Sequence, residues 1–157
     1  MGNEALSAYL NDHLAGSVGA IEMIERAITE NAGNLLARRL EKELEVIRKD
    51  QDIVRDLITR LGSSESRLKK AGAWLVEKAG RVKLGGTEEP TELSRMETLE
   101  ALVVGIHGRR ALWRALRAVA DKHPVLRDLD LDLLERQTAQ QHDRVEEWRL
   151  EAAKDVL

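Results

Sequence analysis

The sequence predicts an all-α chain folded as a four-helix bundle, and three observations carry that prediction. Apolar residues recur at helical period through four long segments. Ala, Leu, Glu and Arg dominate the 157 residues and proline occurs only twice, so strong helix formers are everywhere and the main breaker is rare. The clearest stop signals, Asn31-Ala32-Gly33, Gly62, Leu84 to Pro90 and His123-Pro124, fall between the periodic segments. A length of 157 residues suits a single domain spanning 1–157.

The first helix is expected over about residues 4–30, with Leu10, Leu14, Ser17, Val18, Ile21, Ile24 and Ile28 on one stripe. Gly33 suits a left-handed cap after it. The second helix covers about 34–61, its stripe running through Leu36, Leu40, Ile47, Val54, Ile58 and Leu61. So short a connection makes the two an antiparallel hairpin.

Ser63 and Ser64 offer N-caps for a shorter helix over about 65–82, whose apolar residues are spread loosely around Gly72. The third long helix begins near Thr91 and covers about 91–122, because Pro124 disfavours helix in the residue before it. Asp128 or Asp130 caps the fourth, over about 129–155, with Leu131, Leu134, Thr138, Gln141, Val145 and Trp148 along its stripe. The helix over 65–82 is long enough to carry the chain back along the bundle as a crossover. That gives an up-down-down-up order.

Composition narrows the function. With no cysteine, disulfides, thiolate nucleophiles and Cys-based zinc sites are excluded. Aromatics are 3% and the net charge is −3, which leaves little for base stacking or phosphate binding and argues against nucleic acid. No apolar run reaches the ~18–20 residues of a membrane span, so no membrane is expected and a cytoplasmic location is the default. Charge is segregated: residues 109–127 hold six bases and one acid, residues 128–155 nine acids and four bases. Neighbouring antiparallel helices complement one another in this way across a solvated face.

Polar groups interrupt the apolar stripes near their centres, where burial is unfavourable unless they are paired. Glu25 lies about 40° from the line through Ile21, and Glu43, Asp50 and Gln51 lie within about 60° of the line through Ile47. Arg110 falls on the stripe of Met96, Leu99, Val103 and Ile106, with His107 at its edge. Thr138 and Gln141 are central on the last helix, and His142 flanks them. The expected buried polar layer is therefore Glu25, Glu43, Asp50, Arg110, Thr138 and Gln141, with Arg110 facing roughly Gln141. Such a layer can fix helix register, as buried polar residues do in coiled coils. Alternatively, Glu22 or Glu25 with Glu43, His107 and His142 could hold one metal ion, since carboxylates and imidazoles on facing helices suit divalent metals.

On the other face of the first helix, Gly16 and Gly19, with Ala20 and Met23, allow close approach of the crossover helix or of a second copy in a homodimer. Trp74, Trp113 and Trp148 are candidate anchors for the same contacts.

The helix lengths, the crossover and the opening AYLNDHLAGSVGAIEMIERA resemble the ferritin-like superfamily, specifically its small bacterial members. The resemblance is one of architecture more than of motif. Ferritin-like di-iron proteins carry a Glu on helix 1, Glu-x-x-His on helix 2, a Glu on helix 3 and Glu-x-x-His on helix 4. Here Glu22 or Glu25 and Glu97 or Glu100 match the single glutamates. Val46 stands where the helix 2 histidine belongs, three residues after Glu43. Ala139 stands where a Glu should precede His142. With both paired motifs broken, the resemblance implies a bundle without a complete di-iron centre: a non-catalytic binding or interaction module with no cofactor. The alternative is an iron- or manganese-binding oxidoreductase or iron-handling protein with an unorthodox ligand set.

Overall fold

The computed structural model describes residues 2–62 and 91–157, and every described element is helical. The crossover helix expected at 65–82, the caps Ser63 and Ser64, Trp74 and the 84–90 loop lie outside the described residues. The chain divides into two compact units, Met1–Glu89 and Pro90–Leu157, each containing one helical hairpin.

In the first unit, α1 is Gly2–Glu30 and α2 is Leu35–Arg60. The turn between them is built from side-chain capping. Asn31 Nδ2 donates to the Ala27 carbonyl at 2.8 Å, and the same oxygen accepts from the Asn31 backbone N–H at 3.1 Å. Gly33 follows at φ 87°, a left-handed conformation that disfavours a side chain. Asn34 then caps α2, its Oδ1 accepting from the Ala37 N–H at 3.1 Å. Leu10, Leu14 and Ile24 of α1 are buried, as are Leu40, Ile47, Val54, Leu57 and Ile58 of α2. Val18, Ile21 and Ile28, expected in the same stripe, are half-buried.

In the second unit, α3 is Glu92–Val119 and α4 is Leu131–Val156. Thr91 caps α3 by accepting from the Ser94 N–H at 3.1 Å. Helix α3 stops sooner than expected. Its last turn tightens into a 3₁₀ turn at Ala120–Lys122, and Pro124–Leu126 forms another. Proline suits the first position of such a turn because its missing N–H has no partner there anyway. Of the two candidate caps for α4 it is Asp130 that serves, its Oδ1 accepting from the Leu133 N–H at 2.9 Å.

The buried face of α3 is Met96, Leu99, Leu102, Ile106, Leu112, Trp113 and Leu116. Leu99, Leu102, Ile106, the half-buried Arg109, Trp113 and Leu116 are spaced by alternating steps of three and four, the 3.5-residue seam of closely paired antiparallel helices. It explains why Val103 is only half-buried and Leu102 is buried instead. Trp113, expected as an interface anchor, is 0% exposed and belongs to the core.

Candidate functional site

Polar groups are concentrated along both hairpins, and each set is satisfied largely within its own unit. In the first, Gln51 Nε2 donates to Ser17 Oγ across the helix pair at 2.8 Å, while Ser17 Oγ donates back to the Leu14 carbonyl at 2.6 Å. Asn11 Nδ2 donates to the Ser7 carbonyl at 2.8 Å. Glu43 and Asp50 are buried and both are engaged by neighbours. At the rim the His13 ring stands edge-on to Tyr9, centroids 4.7 Å apart. Burial there lowers the His13 pKa against the opposing pull of Asp12, and raises that of the Tyr9 hydroxyl.

Glu25 requires a correction. It is exposed and ion-paired with Arg48 rather than part of a buried layer. A glutamate about 40° off a stripe has enough reach to carry its carboxylate to the rim, where the cation across the hairpin meets it.

In the second unit, Trp113 Nε1 donates to Thr138 Oγ1 at 3.1 Å, and that hydroxyl donates to the Leu134 carbonyl at 2.8 Å. Each of these buried groups therefore has a partner. Gln141, 0% exposed, accepts through Oε1 from Arg109. Arg110 was expected to face Gln141, but the neighbouring Arg109 does so. On a 3.5-residue seam Arg109 lies in line with Ile106 and Trp113, and Arg110 is rotated about 100° to the edge.

There Arg110 joins a ladder of cations along α3. Its Nε lies 3.5 Å from Glu135, Arg114 Nε lies 3.7 Å from the same carboxylate, and Arg117 is 2.7 Å from it. Arg117 also pairs with Asp132 at 2.6 Å. This ladder joins the basic stretch of residues 109–127 to the acidic stretch that follows. Asp132 and Glu135 hold the Arg117 guanidinium above its ordinary pKa.

Of the candidate metal ligands, Glu22, Glu25 and His107 are exposed, Glu43 is buried and His142 is half-buried. Glu43 belongs to the first unit. His107 and His142 approach each other within the second, with ring centroids 6.1 Å apart. Among the described residues no group of three or more His, Asp or Glu is placed to hold a metal ion. Arg149 clasps Glu146 through two hydrogen bonds of 2.6 and 2.7 Å and reaches Glu100 at 3.3 Å. That clasp is the main cause of the lowered Glu146 pKa.

Among the described residues, nothing crowds the glycines on the small-residue face of α1. Gly16 is exposed, Gly19 and Met23 are half-buried, and a Cβ added at either glycine would meet nothing within 4 Å. No close approach by a described neighbour therefore requires glycine at these positions.

Sequence reasoning missed Arg109 and Glu135. The signal for Arg109 was the seam itself, for extending Leu99, Leu102 and Ile106 by three residues reaches it directly. The signal for Glu135 was its position across the hairpin from three arginines one turn apart.

No described helix is long and apolar enough to cross a membrane. No protein-family model, curated protein or solved structure matches the chain.

Proposed function

We propose that this chain is a non-catalytic binding or interaction module of ferritin-like architecture, whose interior polar groups fix helix register rather than hold a redox metal. The observation that supports this most is the use of polar positions for bonding across each helix pair. Gln51 meets Ser17, Trp113 meets Thr138 and Arg109 meets Gln141. Each bond would break if its helices slid by one turn, and a buried group left unbonded costs about 1–3 kcal/mol. The up-down-down-up order belongs to the same reading and rests on the sequence, through the four long helices and the crossover expected at 65–82. The broken Glu-x-x-His motifs, with Val46 and Ala139 at key positions, point the same way.

The test is anaerobic loading of the untagged protein with Fe(II) or Mn(II), followed by desalting, metal analysis and exposure to oxygen. The module reading expects neither two retained ions per chain nor oxygen consumption above that of free iron. Two retained iron ions with stoichiometric oxygen uptake would overturn it and establish an oxidoreductase or iron-handling centre.

A further inference from the structure

We propose that His107 and His142 form a two-histidine site on the second hairpin that takes a borderline divalent cation, zinc(II) being the simplest. The two rings project from facing helices, α3 and α4, with centroids 6.1 Å apart and planes inclined at 59°. Two imidazoles on one tetrahedral zinc, with Zn–N bonds of ~2.0–2.1 Å, hold their centroids about 5 Å apart. The two rings would have to approach by about one ångström to share an ion. His107 is exposed and the His142 side chain is 26% exposed, so neither ring is locked by packing and a hydrated ion has direct access.

A second observation concerns which nitrogen is free. His142 Nδ1 lies 3.3 Å from Asp143 Oδ1. With Nδ1–H donated to that carboxylate, Nε2 presents its lone pair outward. In that tautomer the nitrogen a metal ligand needs is the free one. A carboxylate behind a ligating histidine is the usual supporting partner in metal sites.

The surrounding charge favours a cation. Asp143 adjoins His142, and Glu146 lies one turn further along α4 and interacts electrostatically with it. The nearby cations are already committed, Arg149 to Glu146 and Glu100, and Arg110 to Glu135. Among the described residues no third His, Asp or Glu completes the set. Water would fill the remaining positions, and the ion would exchange freely rather than be structural. Imidazole selects zinc, nickel and copper over the hard ions magnesium and calcium.

The site does not depend on the reading above, since an exchangeable ion at the rim of one hairpin neither needs nor supplies an interior redox centre. The test titrates metal-free, untagged, full-length protein with zinc chloride, followed by calorimetry and by thermal unfolding. We expect saturable one-to-one binding and a rise in Tm, because an ion bridging α3 and α4 binds only the folded hairpin. His107→Ala and His142→Ala should each weaken binding at least tenfold and remove the Tm rise. Asp143→Ala, which alters only an exposed supporting group, should weaken it by about tenfold. His123→Ala should leave binding unchanged, and calcium or magnesium should give no heat. Zinc binding that survives both histidine substitutions, or no saturable binding at millimolar zinc, would overturn the proposal.

Discussion

In the first hairpin the buried polar side chains are Ser7, Asn11, Asn31, Glu43, Asp50 and Gln51; in the second they are Thr138 and Gln141. The first thus takes two carboxylates into its interior, whereas the fully buried polar residues of the second are neutral, with the half-buried Arg109 reaching Gln141 and most of its charge along the rim, where Glu135 receives three arginines. Both arrangements oppose sliding of one helix past the other, by different means. Interior hydrogen bonds act at short range and are shielded from salt, but they carry a desolvation cost that only good geometry offsets. A rim ladder is cheap to desolvate and correspondingly weak. The second hairpin adds what the first lacks, a fully buried tryptophan bonded across the pair.

Trp113 should therefore show the largest effect. Trp113→Ala removes the largest fully buried side chain among the described residues and its bond to Thr138, and we expect a loss of about 3–5 kcal/mol in denaturant unfolding. Trp113→Phe keeps most of the packing and deletes the donor, with an expected loss nearer 1 kcal/mol plus any misfit of the smaller ring. If the alanine variant lost less than about 2 kcal/mol, the second hairpin would not rest on this anchor and the contrast with the first would fail.

The next test addresses the interior bond of the first hairpin. A double-mutant cycle over Ser17→Ala and Gln51→Ala should give a coupling of about 0.5–1.5 kcal/mol that does not change with salt. Ser17 keeps its bond to the Leu14 carbonyl when Gln51 is truncated, so the cycle isolates the cross-helix contact. A coupling of zero would mean that Gln51 is satisfied equally well without Ser17, and the register role of this pair would be lost.

Helix existence and most helix ends were legible in the sequence because they depend on local chemistry. Asn34, Thr91 and Asp130 each accept from a backbone N–H three residues on, and Gly33 takes the left-handed cap. Which polar residue lies inward was less legible, because it depends on the partner helix. Paired helices follow a 3.5-residue seam, and a small change in phase exchanges Arg109 for Arg110. The partner available at the edge matters as well. Glu43 and Asp50 stay buried, whereas Glu25 escapes to Arg48 at the edge. The tight ends of the second hairpin were missed for a related reason. Pro124 announces a stop, but the 3₁₀ turns on either side of His123 depend on how α3 must hand over to α4.

The smallest expected effect comes from the rim, and its salt dependence gives it diagnostic value. The Glu135 side chain is 14% exposed, while Arg110, Arg114 and Arg117 are 39%, 62% and 46% exposed. One sheltered carboxylate thus faces three largely solvated cations. Glu135→Gln keeps the shape and removes the charge, leaving Asp132 to hold Arg117 while the other two arginines turn to water. At low salt the loss should be about 1 kcal/mol or less, the value of a solvated ion pair with some arginine–arginine repulsion added. Screening shortens to ~3 Å at 1 M salt, less than the separations of Glu135 from Arg110 and Arg114, so the difference from wild type should then largely disappear. A loss above about 2 kcal/mol that persisted in high salt would mark Glu135 as an interior charge. In that case the second hairpin would bury a carboxylate as the first does, and the two would hold register by the same means.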